Sequence, residues 1–132
     1  MAVDFGAKRI GVAVSDSGIV ATPHSVLRNE GDIVGKLAAL ADELEASTIV
    51  IGVPRRQYRD PREQTFHDLA ERLRQKTCRE VVLWDEALTT VEAEERMREA
   101  GRSRREARRN IDMVAAAVIL QSYLDDRQRR ES

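Results

Sequence analysis

The sequence has few cysteines, prolines, glycines and aromatic residues, and each shortage excludes a class of protein. Cys78 is the only cysteine among 132 residues, so neither an intrachain disulfide nor a zinc site made of several thiolates can form. We expect this lone thiol to be buried as a small apolar residue. Three prolines and seven glycines are too few for a fibrous or low-complexity chain, and aromatic residues at 4% argue against an extensive base-stacking surface.

Long apolar runs and a large net charge are also missing. No apolar run is long enough to cross a bilayer, and the N-terminus lacks the pattern of a signal peptide, so we expect a cytoplasmic protein with no membrane partner. The formal net charge of −1 does not by itself indicate a polyanionic ligand. Arginine is nevertheless concentrated in residues 54–62 and 101–109, which are either phosphate-binding patches or solvated helix faces with spaced ion pairs.

The length predicts a single domain spanning residues 1–132, and the composition, 42% hydrophobic and 34% charged, predicts that it is globular. The order of strands and helices predicts the α/β class. Apolar and β-branched runs predict strands at AVDF (2–5), RIGVAVSD (9–16), IVATPHSVLR (19–28), STIVIGVP (47–54) and EVVLW (80–84). Helical periodicity predicts helices over about 32–44, 60–76, 89–101 and 111–124. This order predicts a mixed five-stranded sheet with helices on both faces and the first strand at its centre.

Local signals refine the expected ends of these elements. Asp60 and Pro61 form a start signal for the second helix. Thr89 and Glu92 have the spacing of a capping box for the third helix, which we expect to end at Gly101. A proline, at position 23, marks the third strand as an edge strand or as kinked.

Acidic residues end two of the predicted parallel strands and begin the last helix. Asp4 ends the first strand, and Asp85 and Glu86 follow EVVLW. Asp112 stands in the first turn of the closing helix. Because the carboxyl ends of parallel strands share one edge of a sheet, these carboxylates can converge, and Mg²⁺ or Mn²⁺ would neutralise their repulsion. Taken singly, each acid is also explained as a strand end, a helix-dipole partner or the lead-in to a cap.

Four stretches of the sequence, taken together, resemble the signature blocks of the YqgF family, also called RuvX. They are VDFGAKRIGVAVSD, IVIGVP, WDEALTTVEAEERM and NIDMVAAAVILQSYL, and they span nearly the whole chain. The resemblance implies an RNase H-like fold related to the RuvC Holliday junction resolvases. It also implies a nuclease that uses Mg²⁺ or Mn²⁺ and that resolves Holliday junctions or matures pre-16S ribosomal RNA.

By this resemblance, the catalytic and metal-binding residues come from the same acids. Asp4 is the ligand of the first block, Asp112 that of the last, and the third block offers Asp85 and Glu86. Strand alternation places Asp85 and Glu86 on opposite faces, so we expect only one of them to bind metal directly. The sequence leaves open which one does.

The chain departs from the family pattern at several positions. Ala87 stands where the third block usually has arginine, and Asn110 and Ile111 stand where a lysine often precedes the acid. The loop after IVIGVP is rich in arginine instead of having a polar NMDG-like sequence. These changes indicate that phosphate contacts are redistributed. Relatives usually have several residues ahead of the first block, so a start upstream of Met1 is an alternative to a short first strand.

Nucleic-acid contacts are expected from basic and hydroxyl residues near the acids and in the arginine-rich segments. The candidates are Lys8, Arg9, Arg55, Arg56, Arg59, Thr89, Thr90, Arg104 and Arg105. Lys8 and Arg9 are alternatively an exposed turn, and a helix cap explains Thr89 equally well. His24 and His67 are poor candidates for a catalytic base.

These features favour a metal-dependent nuclease that hydrolyses phosphodiester bonds in RNA or in single-stranded or branched DNA. The expected partners are nucleic acid and ribosomal precursor particles, and the expected state is a monomer or a weak homodimer. The alternatives are a catalytically inactive nucleic-acid or ribosome-binding module of the same fold and a dimeric Holliday junction resolvase. The Asp-x-Gly sequence before a hairpin also resembles the phosphate loop of actin-like ATPases. Those proteins enclose the nucleotide between two such domains, whereas this sequence supplies one.

Overall fold

The strands and helices of the computed structural model follow the predicted order, and the structure describes residues 1–54, 62–89, 91–103 and 111–131. The strands are β1 (Ala2–Phe5), β2 (Arg9–Val14), β3 (Thr22–Arg28), β4 (Thr48–Val53) and β5 (Glu80–Asp85). The helices are α1 (Ile33–Glu43), α2 (Arg62–Thr77), α3 (Val91–Ser103) and α4 (Ile111–Glu131). A short 3₁₀ helix, Glu86–Leu88, joins β5 to α3 and is called the 86–88 turn below.

The sheet has the predicted mixed topology, with β1 at its centre. Its strands lie in the order β3-β2-β1-β4-β5. The β1–β2 and β2–β3 pairs are antiparallel, whereas β1 pairs in parallel with β4 and β4 with β5. Pro23 lies in the edge strand β3, beside a register shift between Val12 and Ala13. The prediction of an edge or kinked strand is thereby confirmed, since proline removes a ladder hydrogen bond that an edge strand can spare.

Helices cover both faces of the sheet, as predicted, and each face has its own apolar core. One face, covered by α1 and α2, buries large side chains including Val3, Ile51, Leu37 and Leu73. Each such fully buried side chain contributes roughly 1.5–3 kcal/mol relative to exposure. The other face, covered by α3 and α4, is rich in alanine, at positions 2, 13, 21, 116 and 117. Small residues on both sides bring the backbone of α4 close to the strands.

Two helices run beyond their predicted ends. α3 continues past Gly101 to Ser103, because a glycine inside a helix costs only about 1 kcal/mol relative to alanine. α4 continues past Leu124 to Glu131. Its added turns carry ion pairs between residues four apart, at 3.0 Å for Arg130–Asp126 and 3.3 Å for Arg127–Glu131, which support a solvated helix.

The predicted capping box of the third helix was wrong. α3 begins at Val91, and the hydroxyl of Thr89 donates to the backbone carbonyl of Glu86 over 2.8 Å. The 86–88 turn, which the sequence pattern did not predict, shifts the helix start away from Thr89. The start signal predicted for α2, at residues 60 and 61, lies outside the described residues.

Cys78 is exposed, so the prediction of a buried thiol was also wrong. The residue directly follows α2 with a φ of 55°, and its N–H donates to the carbonyl of Arg74 over 3.0 Å. This left-handed geometry ends the helix, and β5 begins two residues later. Among the described residues, no helix combines the length and apolarity needed to cross a membrane.

Candidate active site

The glycines that flank Asp4 in the sheet bring α4 against the central strand. Asp4 lies between Gly11 of β2 and Gly52 of β4 in register. A side chain at Gly11 would meet the backbone carbonyl of Asp112, and one at Gly52 would meet the side chain of Ile119. The first turn of α4, which carries Asp112, therefore packs beside Asp4 because both neighbouring strand positions lack a side chain.

Asp4 has a raised pKa of about 6, against its ordinary value of 3.8. Burial is the largest cause, because desolvation disfavours the carboxylate. The negative charge of Glu86, a hydrogen bond with the Glu86 side chain and the charge of Asp112 raise the pKa further. The structure thus brings three of the predicted acids into one electrostatic cluster, in which the negative charges disfavour one another.

Glu86 and Asp85 lie on different sides of the sheet edge. Asp85 is the last residue of β5 and pairs in register with Val53, whose side chain belongs to the core under α1 and α2. By strand alternation its side chain faces that side. Glu86 begins the 86–88 turn, and its side chain is hydrogen-bonded to that of Asp4. Of the two acids that the sequence could not separate, Glu86 is the one that contacts Asp4.

Ser122 of α4 holds the 86–88 turn in place. Its hydroxyl is buried, accepts a hydrogen bond from Trp84 Nε1 at 3.2 Å and donates one to the carbonyl of Leu88 at 2.7 Å. The Trp84 and Tyr123 rings also form an edge-to-face pair, with centroids 5.5 Å apart. Two consecutive residues of α4 thus fix the strand end from which Glu86 projects. A polar residue within an apolar helix is the sequence signal that could have identified this role.

Asp112 forms an ion pair with Arg9, whose Nε lies 3.4 Å from Asp112 Oδ2. Arg9 begins β2, and the turn before it is closed by a hydrogen bond of 2.8 Å from Gly6 N to the Arg9 carbonyl. Asn29 Nδ2 donates to the Gly6 carbonyl, also over 2.8 Å. Lys8 lies exposed in this turn. Of the two predicted nucleic-acid contacts in this turn, Arg9 contacts an acid of the cluster, and hydrogen bonds hold the turn that carries both.

A cleft of about 570 Å³ opens at the acids and continues between α3 and α4. Asp4, Glu86 and Thr89 line its polar end. The remaining lining residues were not predicted as site residues, and they are Glu94, Met97, Arg98, Ile111, Val114, Ala115, Val118 and Ile119. Spacings of three and four residues place 94, 97 and 98 on one face of α3, and this pattern could have identified them.

The donor set of this cleft fits a hard divalent cation by its chemistry. Asp4, Glu86 and Asp112 offer carboxylate oxygens, which Mg²⁺ and Mn²⁺ prefer, and the charges of Glu86 and Asp112 add to burial in raising the pKa of Asp4. In the described conformation, however, no group of three or more His, Cys, Asp or Glu side chains has the arrangement of a metal site, as far as the described residues go. Arg9 occupies one side of Asp112 instead.

Several predicted contacts cannot be placed. Arg55, Arg56, Arg59, Thr90, Arg104 and Arg105 lie outside the described residues. His24 is exposed and shares a hydrogen bond of 2.9 Å with the hydroxyl of Ser25, and His67 is exposed on α2. Neither histidine lines the acidic cleft.

Comparisons with known proteins point to one family. The sequence model of RuvX, described as a Holliday junction resolvase, matches residues 1–126. A protein of Mycobacterium tuberculosis (strain ATCC 25618 / H37Rv) named "Putative pre-16S rRNA nuclease" is 45% identical over 135 residues, which cover 96% of this chain and 78% of the relative. A protein of the same name from Geobacillus kaustophilus (strain HTA426) is 40% identical, with 97% and 98% covered.

The fold is similar to that of a solved structure. The structure of T. thermophilus RuvC in complex with a Holliday junction substrate aligns with a TM-score of 0.67 and 14% sequence identity, covering 96% of this chain and 93% of that one. This likeness confirms the predicted RNase H-like fold.

Proposed function

The chain belongs to the RuvX family, and from this premise we propose that it is a divalent-metal-dependent nuclease that hydrolyses phosphodiester bonds in nucleic acid. The observation that carries the proposal is the convergence of Asp4, Glu86 and Asp112, which lie far apart in the sequence and act together on the pKa of Asp4. A purely structural role gives no reason to bury a carboxyl group beside two others.

Asp4, Glu86 and Asp112 would hold the Mg²⁺ or Mn²⁺ ions. When bound, such ions activate a water molecule and stabilise the leaving oxygen in phosphodiester hydrolysis. Asp85 is the weaker candidate ligand, because strand alternation directs it to the face covered by α1 and α2. Lys8 and Arg9, in the turn after β1, would contact phosphates next to the ions, with the arginines at 55, 56, 59, 104 and 105 extending that contact.

The proposed substrate is the precursor of 16S ribosomal RNA, in ribosomal precursor particles of the cytoplasm. Support comes from the names of relatives at 40% and 45% identity, which cover most of both chains. The description of the family as Holliday junction resolvases favours branched DNA as a second candidate. Junction resolution would require two sites, and hence a homodimer, because two strands must be cut symmetrically.

The test is cleavage of a labelled panel of single-stranded RNA, a pre-16S rRNA fragment, single-stranded DNA, duplex DNA and a four-way junction. Each substrate is incubated with Mg²⁺, with Mn²⁺ or with EDTA. Asp4→Asn is the inactive variant, and Asp16→Asn, on an exposed loop, is the control for loss of one negative charge. We expect cutting only by wild type and Asp16→Asn, and only with metal.

The same panel separates the nuclease from a binding module. An inactive module would bind nucleic acid equally well with and without metal and would cut none of the substrates. Cleavage by Asp4→Asn at the wild-type rate would instead show that a contaminating nuclease, not this cleft, does the cutting. Preference for the junction over RNA would identify the resolvase.

A further inference from the structure

The part of the cleft that lies away from the acids is apolar. Met97 of α3 is buried against α4, and Val114, Ala115 and Val118 of α4 line the same space. Ile119 closes it against β4, where Gly52 leaves room. We call these five residues the apolar arm of the cleft. Phosphates and metal ions need no such surface, so the arm has no explanation in phosphodiester hydrolysis itself.

Exposed apolar residues line the same cleft or lie next to a lining residue in the sequence. Ile111 is 80% exposed and lines it, while Leu88 at 53% and Val91 at 70% stand on either side of Thr89, which also lines it. In the described residues, these are three of the five large hydrophobic side chains that are exposed. One of them lines the cleft and the other two flank the lining residue Thr89 in the sequence, which favours a surface that an apolar ligand would cover.

We propose that the apolar arm binds one unstacked nucleobase of the substrate, next to the phosphate that is cut. The inference rests on the proposed function, because it takes the acidic end as the place of the phosphodiester. A base has apolar faces that fit among aliphatic side chains, and the thioether of Met97 is a favourable partner for an aromatic ring. At the rim of the cleft, Glu94 supplies a hydrogen-bond acceptor and Arg98 supplies hydrogen-bond donors for the polar edge of the base.

Continuity with the acids favours a nucleobase over a protein ligand. The arm and the acids form one space, so a ligand that fills the arm reaches Asp4 and Glu86. A nucleotide meets both environments, with its charged phosphate at the metal end and its uncharged base in the apolar arm. Because a base inside a duplex is stacked and paired, the site selects unpaired nucleotides, in single-stranded RNA or DNA or at a branch point.

The test is a scan of single-stranded RNA oligonucleotides, each lacking the base at one position. Binding is measured by fluorescence anisotropy with Ca²⁺ in place of Mg²⁺, and cleavage is measured separately with Mg²⁺. The variant Ala115→Leu fills the arm, and Ala39→Leu makes the same change on the exposed face of α1. Ile111→Ser removes apolar surface from an exposed position, where folding is not at risk.

For wild type, we expect one abasic position to weaken binding about tenfold, which corresponds to about 1.4 kcal/mol. Ala115→Leu should bind the intact oligonucleotide about tenfold more weakly, and removal of the base at the sensitive position should not weaken its binding further. Ile111→Ser should lose less binding affinity than Ala115→Leu. Ala39→Leu should bind like wild type. The base site would be overturned if no abasic position weakened binding by wild type. It would also be overturned if the abasic position that weakens wild-type binding weakened Ala115→Leu to the same extent.

The two readouts keep this inference separate from the proposed function. If wild type cleaves RNA but binds all abasic oligonucleotides equally well, the nuclease proposal is supported and the base site is rejected. A sensitive position without any cleavage would support the base site and reject the catalytic proposal. A third outcome is that Ala115→Leu abolishes a concentration-dependent dimer in sedimentation while removal of a base has no effect on binding. A second copy of the chain would then occupy the apolar arm, and the proposal would fail.

Discussion

Arg9 Nε lies 3.4 Å from Asp112 Oδ2, so the arginine that begins β2 is paired with the acid in the first turn of α4. The Asp112 side chain is 28% exposed and that of Arg9 is 68% exposed. The pair is therefore open to solvent, and ion pairs of this kind contribute about 0–1 kcal/mol. If Asp112 holds a divalent cation, as proposed, the guanidinium and the cation compete for the same carboxylate.

Arg9→Gln should strengthen metal binding and weaken nucleic-acid binding at the same time. Removing the guanidinium frees Asp112 for the cation, so we expect Mn²⁺ to bind up to about fivefold more tightly in calorimetric titrations without nucleic acid. The logarithm of the nucleic-acid binding constant falls linearly with the logarithm of the salt concentration. Loss of one phosphate contact should reduce the steepness of this line by about 1.

The matched control for Arg9→Gln is Arg28→Gln. Arg28 pairs with Arg9 in the β2–β3 register, but its ion pair, at 4.0 Å, is with Glu30. The control should leave the affinity for Mn²⁺ unchanged. Equal effects of both substitutions would mean that general surface charge, and not competition at Asp112, sets metal affinity.

The raised pKa of Asp4 gives this residue a contribution to stability that is present at acid pH and lost at neutral pH. Between the ordinary pKa of 3.8 and the folded-state value of about 6, the folded protein holds a proton that the unfolded chain has lost. The contribution of Asp4 to the free energy of unfolding therefore falls as pH rises through this window and stays low above it. Solvent screening limits the effect to about 1 kcal/mol, since the carboxyl group remains partly exposed.

Asp4→Asn should remove this dependence. In EDTA, we expect the variant to be about 1 kcal/mol more stable than wild type near pH 7.5 and no more stable near pH 4, measured by urea unfolding. Mg²⁺ should raise the stability of wild type but not that of the variant. A variant that is less stable than wild type at neutral pH would contradict a carboxyl group held among like charges.

The sheet could be predicted from the sequence because its strands carry simple signals. Continuous apolar runs such as IVIGV mark strands buried on both faces, and a meander followed by crossovers leaves few topologies. The 86–88 turn could not be predicted in the same way. It depends on tertiary hydrogen bonds from Ser122 to Leu88 and from Trp84 to Ser122, which no local pattern records.

The acids of the candidate site could be listed from the sequence, but their geometry could not. Asp85 and Glu86 are adjacent, and only the direction of the chain after β5 decides which one meets Asp4. The ion pair between Arg9 and Asp112 joins residues that are remote in sequence. The close approach of α4 depends on glycines at positions that read simply as strand residues.

Gly11→Ala should destabilise the protein more than Gly52→Ala. A Cβ at Gly11 would meet backbone atoms of Asp112 and, at 3.0 Å, the N atom of Met113, whereas one at Gly52 would meet the flexible end of the Ile119 side chain. Overpacking costs typically about 1–3 kcal/mol, and we expect Gly11→Ala at or above that range and Gly52→Ala at its lower end. Urea unfolding measures both.

The same pair of variants tests whether α4 positions Asp112. Gly11→Ala should displace the first turn of the helix and weaken Mn²⁺ binding, while Gly52→Ala should retain the wild-type affinity. Equal affinities in the two variants would show that the position of this turn does not determine metal binding.

Ser122→Ala should lower the turnover number more than it changes the KM for nucleic acid, because the residue acts on Glu86 only through the 86–88 turn. The substitution leaves Trp84 Nε1 and the carbonyl of Leu88 without this partner, at a cost of about 1–3 kcal/mol in unfolding free energy.

Trp84 is the only tryptophan, so its fluorescence emission reports directly on the site. Ser47→Ala, at an exposed position, is the matched control and should change neither emission nor turnover. A shifted Trp84 emission with wild-type turnover would show that Glu86 does not depend on this hydrogen-bonded connection.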